Sequence, residues 1–175
     1  MLLEGFKAIL MRCDNALLVL VPRHPERFAE VAALARKNFS VQLHSQAHHL
    51  ASTTQVLIGD SMGELMALLG ASDLVFMGGT WVPNGGHNFI EPASWGKPIL
   101  SGPSLFNFVE VSRLLVDAGA LEIVRSTEAF AFAAIEILSS AEKASIMGDA
   151  GRKIADGNRG ALQKLLLQLA PFLDI

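Results

Sequence analysis

The sequence holds 175 residues, 51% hydrophobic and 18% charged, with 14 Lys and Arg against 17 Asp and Glu for a formal net charge of −3. That length fits one domain able to bury about 70% of its unfolded surface, and a mean hydropathy of +0.39 excludes a disordered chain. The acidic balance leaves no basic footprint for nucleic acid, and the single cysteine, Cys13, excludes an internal disulfide framework.

No apolar run approaches the roughly 20 residues that span a bilayer. Residues 1–10 carry Glu4 and Lys7 and no signal-peptide pattern. A soluble, cytoplasmic chain without a membrane anchor is expected. Leu2, Leu3, Phe6, Ile9 and Leu10 recur at helical spacing, so the first thirteen residues read as an amphipathic helix. Leu17 to Val21 is a continuous apolar run ended by Pro22, the pattern of a strand buried on both faces. Pro25 to Lys37 reads as a helix, with acidic residues early and Arg36 and Lys37 at its close. Phe39 to His44 alternates like a strand nearer an edge, and His44 to Thr54 is a polar loop.

Val56 to Gly59 predicts a third strand, Met62 to Leu69 a short helix and Leu74 to Met77 a fourth strand. The glycine-rich loop Gly78 to His87 follows, then a short helix Asn88 to Trp95 and a fifth strand Pro98 to Leu100. Phe106 to Ala118 predicts a helix with Phe108, Val111 and Leu115 on one face, and Ala120 to Val124 a sixth strand. Helices over Glu128 to Leu138, Ala141 to Ala155 and Ala161 to Leu173 complete the chain. Strands alternating with helices give an α/β fold, a Rossmann-like parallel sheet of about six strands with helices on both faces. No linker or repeat interrupts it, so residues 1–175 are expected to form one domain.

Ligands of open parallel sheets bind beyond the carboxyl ends of the strands. Three polar clusters fall there: Pro22 to Arg27, Gly59 to Glu64, and Gly78-Gly79-Thr80 with Gly85 to Pro92. Their glycines free backbone amides to face a ligand, and the clusters together suit a nucleotide with a charged phosphate and a diol. Ser61 to Glu64 and Asn88 to Glu91 also have the shape of helix capping boxes. Capping and ligand binding are compatible, because a capped helix start still offers N–H groups to an anion. Arg23 lies between a strand and a proline, where a guanidinium forks onto phosphate oxygens; Arg23 and Arg27 also fit solvated surface arginines. His24 and His87 fit general acids, phosphate donors or satisfied turn residues. His44 and His48 have metal-like spacing but no helix and no third ligand, so no metal site is expected.

Absences narrow the chemistry. There is no G-x-G-x-x-G after a strand, no G-x-x-x-x-G-K-[ST], no G-x-S-x-G and no Asp-x-Asp. Metal-free nucleotide recognition remains.

The clusters resemble the C-terminal half of the Kdo transferases, which move 3-deoxy-manno-octulosonic acid (Kdo) from CMP-Kdo to lipid A precursor. The carrying stretches are Val21 to Phe28, Gly59 to Leu65, Gly85 to Asn88 with Glu91-Pro92, and Gly102-Pro103 with Phe106-Asn107-Phe108. The resemblance covers residue 5 to the end. It implies a GT-B fold, in which two Rossmann-like domains face each other with the donor nucleotide on the C-terminal one. It places Pro22 and Arg23 on the CMP phosphate, Met62, Gly63 and Glu64 along the nucleotide, and Asn88, Phe89, Ile90 and Glu91 on ribose and phosphate. His24, Gly79, Thr80, Gly86 and His87 support them.

Phe89-Ile90 depart from a common Pro-Leu, at positions that meet the ligand through backbone, and residues 81–84 fill a variable loop. The family's general-base glutamate belongs to an N-terminal domain, which this chain is expected to lack together with the first strand of the C-terminal one. No catalytic residue, metal or cofactor is therefore assigned here. The chain is expected to bind CMP or CMP-Kdo without turnover, to meet lipid A precursor only through the other domain, and to act at the cytoplasmic face of the inner membrane. A UDP-sugar transferase or epimerase half, and a non-catalytic interaction remnant, are the alternatives.

Overall fold

The computed structural model describes residues 1–46 and 49–158. The expected helix over Ala161 to Leu173, and His48, lie outside the described residues. The elements run α1 (Leu2–Leu10), β1 (Leu18–Leu20), α2 (Phe28–Arg36), β2 (Val41–Leu43), β3 (Val56–Ile58), α3 (Leu65–Ala71) and β4 (Val75–Met77). They continue with α4 (Ile90–Ser94), β5 (Ile99–Ser101), α5 (Val109–Asp117), β6 (Leu121–Ile123), α6 (Thr127–Leu138) and α7 (Ala141–Asn158). Pro25–Arg27 forms a 3-10 turn before α2; with φ fixed by its ring, Pro25 tolerates that entry, so the α-helix starts later than the sequence pattern suggested.

All six expected strands form, and every pairing is parallel. They are hydrogen-bonded as two sheets, β1-β3-β2 and β4-β5-β6, rather than as one six-stranded ladder. Each sheet belongs to its own compact unit: unit 1 is Met1–Ser72 with Val124–Ser140, and unit 2 is Asp73–Ile123 with, among the described residues, 141–158.

In unit 1 the centre strand β3 is buried throughout, whereas β1 and β2 are half-buried. The expectation that Leu17 to Val21 is covered on both faces is therefore corrected. Among the described residues its strand hydrogen-bonds to β3 alone, and Val21 is exposed, so the run of apolar side chains overstates its cover. α1 buries Gly5, Phe6 and Ile9 and packs on α6, with the Phe6 ring 5.5 Å from that of Phe39. Burying a side chain of that size contributes about 1.5–3 kcal/mol. Ser126 caps α6 by accepting the Ala129 N–H at 3.1 Å.

In unit 2 the centre strand β5 is likewise buried. Phe89, Ala93, Ile99, Leu115, Ala120 and Leu121 build the core with Met77. Phe108, Val111 and Leu115 of the expected stripe all pack there. α4 and α7 cross closely; the guanidinium of Arg152 donates to the Trp95 carbonyl at 3.1 Å.

Candidate functional site

Parallel register brings the turns of unit 1 to a common edge. Leu20 and Leu43 are both level with Ile58, so Pro22-Arg23, His44-Ser45 and Gly59 to Glu64 all leave the carboxyl ends of neighbouring strands. The Gly59 N–H donates to the Leu20 carbonyl at 2.8 Å, continuing the ladder past the strand.

The helix expected from Met62 starts only at Leu65. Gly63 has φ +85°, a left-handed conformation that no helical residue adopts and that glycine takes without steric cost. The capping box is consequently not formed. The Ser61 hydroxyl donates to the Glu64 carboxylate instead of capping an N–H, and α3 has no side-chain cap. The Glu64 Oε2 also lies 2.9 Å from His44 Nδ1. Both side chains reach solvent, at 44% and 34% exposure, so the pair contributes about 0–1 kcal/mol to stability.

Next to it, Ser45 donates both its N–H, at 2.8 Å, and its hydroxyl, at 2.6 Å, to Asp60. Partial burial works against the Asp60 carboxylate, but the Ser45 bonds and the charge of His44 outweigh it and hold its pKa below the usual aspartate value.

Arg23 and His24 are exposed on the turn after β1 and Pro22 is half-buried. His24 Nδ1 is 3.9 Å from Glu26 and Arg27 Nε 3.3 Å from Glu30, both exposed pairs. Met62 is 71% exposed, leaving its thioether available to a flat apolar partner.

Unit 2 repeats the layout with different chemistry. Met77 and Ile123 are level with Ser101, so Gly78 to Thr80 and Gly102-Pro103 leave one edge side by side. Thr80 is fully buried. Its hydroxyl donates to the Met77 carbonyl and accepts the Gly102 N–H, each at 2.7 Å, while its carbonyl takes the Ser104 N–H at 2.9 Å. With its hydroxyl so engaged, Thr80 ties two turns together. The Asn107 amide donates to the Asn84 carbonyl at 2.8 Å and the Gly85 N–H to Ser104 Oγ at 3.2 Å. Gly86, at φ +76°, turns back to donate to Gly79. A Cβ there would also meet the Thr80 methyl at 2.9 Å, so glycine is required twice over.

α4 starts at Ile90 rather than Asn88. The cap is nonetheless made by Asn88: its Oδ1 accepts the Ile90 N–H at 3.0 Å and its amide donates to Glu91 Oε1 at 3.1 Å. Asn88 is exposed and Glu91 half-buried, so the pair presents an amide and a carboxylate outward. Phe89 is fully buried and anchors the turn in the core, with its ring 5.9 Å from Phe108. Its side chain is therefore part of the core and not of the surface of the turn.

Sequence reasoning missed His44 and Ser45, which were set aside in a loop. Strand order would have found them, because the residues after β2 emerge beside those after β3. Among the described residues no group of three His, Cys, Asp or Glu side chains is placed to hold a metal ion, and no helix is long and apolar enough to cross a membrane.

The protein family described as glycosyl transferases group 1 matches residues 2–154. The chain belongs to that family. It is 43% identical over 175 residues to a 3-deoxy-D-manno-octulosonic acid transferase of Haemophilus influenzae, covering 99% of this chain and 41% of that protein. It is 31% identical to a transferase of the same name from Bordetella pertussis, covering 90% of this chain and 37% of that one. This group 1 glycosyltransferase chain therefore spans about two fifths of the length of these relatives.

The crystal structure of the C-terminal CMP-Kdo binding domain of WaaA from Acinetobacter baumannii superposes with a TM-score of 0.82 at 30% identity, over 87% of this chain and 80% of that one. WaaG, a glycosyltransferase involved in lipopolysaccharide biosynthesis, shares the fold at a TM-score of 0.60 and 16% identity, over 93% of this chain and 40% of that one. The Kdo transferase resemblance read from the motifs is thus borne out, as is the parallel α/β fold.

Proposed function

We propose that this chain is the donor-binding part of a Kdo transferase, holding CMP-Kdo while the sugar passes to lipid A precursor at the cytoplasmic face of the inner membrane. The observation that carries the reading is its likeness to the Acinetobacter CMP-Kdo binding domain along most of both chains. The residue chemistry supports it. Arg23 supplies a guanidinium for the single phosphate of CMP, and Glu91, oriented by Asn88, supplies a carboxylate that accepts from ribose hydroxyls. In unit 1, Met62, Gly63 and Glu64 lie along the nucleotide.

In transfer, an acceptor hydroxyl attacks the anomeric carbon. The bond from that carbon to the CMP phosphate breaks, and the electron pair stays on the phosphate oxygen. The task of the donor part is to stabilise that developing charge with donors already in place. With seven and five residues, α3 and α4 add little dipole, so the side chains and loop amides carry this work. The acceptor proton leaves to a general base, a role given to no residue named here, and the 175-residue chain is expected to bind CMP without transferring sugar.

Arg23→Ala is expected to weaken CMP binding by about 2 kcal/mol, the worth of a charge-assisted contact, in an isothermal titration. Unchanged affinity would return Arg23 to the role of a solvated surface arginine.

A further inference from the structure

We infer that His44 is the positioning residue for Glu64, an inference that rests on the proposed place of Glu64 along the nucleotide. Because β2 and β3 run parallel with Leu43 level with Ile58, the residue after β2 and the turn after β3 emerge together. His44 Nδ1 sits 2.9 Å from Glu64 Oε2 and 3.1 Å from Ser61 Oγ, and the Ser61 hydroxyl donates to the same Oε2. The proton logic is closed. The Ser61 hydrogen goes to the carboxylate, so the Ser61 oxygen and Glu64 both accept from Nδ1–H, which fixes the imidazole with its Nδ1 protonated.

One oxygen of Glu64 is thus held by two donors. The other, Oε1, has no partner among the described residues and remains to accept a hydroxyl of the donor. Among the described residues no other bond to the Glu64 carboxylate is made; Gly63 precedes it in a left-handed turn and α3 lacks a side-chain cap. Asp60 also faces this turn and feels the charge of His44, but its own carboxylate is engaged by Ser45. Glu64 is therefore the acceptor left for His44 to aim.

The test titrates CMP into the 175-residue chain and its variants by calorimetry. His44→Ala is expected to weaken binding about 2–5-fold, the upper range of a solvent-exposed pair. His44→Asn, whose amide nitrogen stands where Nδ1 was, is expected to recover most of it; His44→Gln, whose donor lies one bond further out, is not. A merely structural histidine would give no such order. If Glu64→Ala weakens binding but His44→Ala does not, the positioning role is overturned. If Glu64→Ala is itself neutral while Arg23→Ala is not, the placement of Glu64 beneath it has failed instead. The pair is also read without nucleotide, by a double-mutant cycle on the denaturation midpoint. Coupling between His44→Ala and Glu64→Ala is expected, and strict additivity would overturn the inference whatever CMP does.

Discussion

The two units place turns at the same topological position, past the carboxyl ends of three parallel strands, yet hold them by different forces. In unit 2 the turns after β4 and β5 are joined through the buried Thr80 hydroxyl and through Ser104 and Asn107. Those bonds are neutral, and the central ones are shielded from solvent. In unit 1 the turns after β2 and β3 are joined through bonds to half-exposed carboxylates, Glu64 with His44 and Asp60 with Ser45. Buried neutral hydrogen bonds cost a full desolvation penalty when broken, whereas exposed charged ones are screened by water and salt. One edge is therefore built to keep its shape, and the other to respond to its surroundings.

The largest expected effect sharpens that contrast on the rigid side. Thr80→Val keeps the volume but leaves the Gly102 N–H and the Met77 carbonyl without their bonds. At about 1–3 kcal/mol for each of these two unsatisfied buried groups, a loss of about 2–6 kcal/mol is expected in urea unfolding. The loss should be the same from about pH 5 to 8, because no ionisable group takes part. A pH-dependent or negligible loss would dissolve the distinction between the edges.

A smaller effect sharpens it on the responsive side. The Asp60 pKa is lowered on folding, so its contribution is present above the unfolded carboxylate value, about 4, and is lost as pH falls through the folded value. Asp60→Asn is expected to cost less than about 1 kcal/mol near neutral pH, as befits a solvent-screened group. The gap between wild type and variant should close in acid, measured by denaturant midpoints across pH. A gap that persists below the carboxylate range would mean that the ionised group is not what ties Ser45.

Much of the fold was legible because most of the parallel strands announce themselves as short apolar runs, while Phe39 to His44 did so by alternation. What the runs do not encode is which strands share a ladder, so the division into two three-stranded sheets and the half-burial of β1 were not. Helix starts misled for a local reason. Ser61 to Glu64 has the spacing of a capping box, but Gly63 takes a left-handed conformation that only the three-dimensional turn requires. Asn88 to Glu91 was read more nearly right, since Asn88 does cap an N–H, that of Ile90.

The candidate site was legible where ligand-facing residue types cluster in sequence. It was illegible where a contact joins residues 17 apart, as with His44 and Ser61. Thr80 shows the converse: it stands in the right motif, but its hydroxyl is used by the protein itself.

The most direct measurement is a calorimetric titration of the 175-residue chain with CMP and, separately, with UDP. Saturable one-to-one binding of CMP, with UDP markedly weaker, is the expected result. No heat of binding from CMP, or a preference for UDP, would contradict the assignment of this chain as a CMP-Kdo donor part.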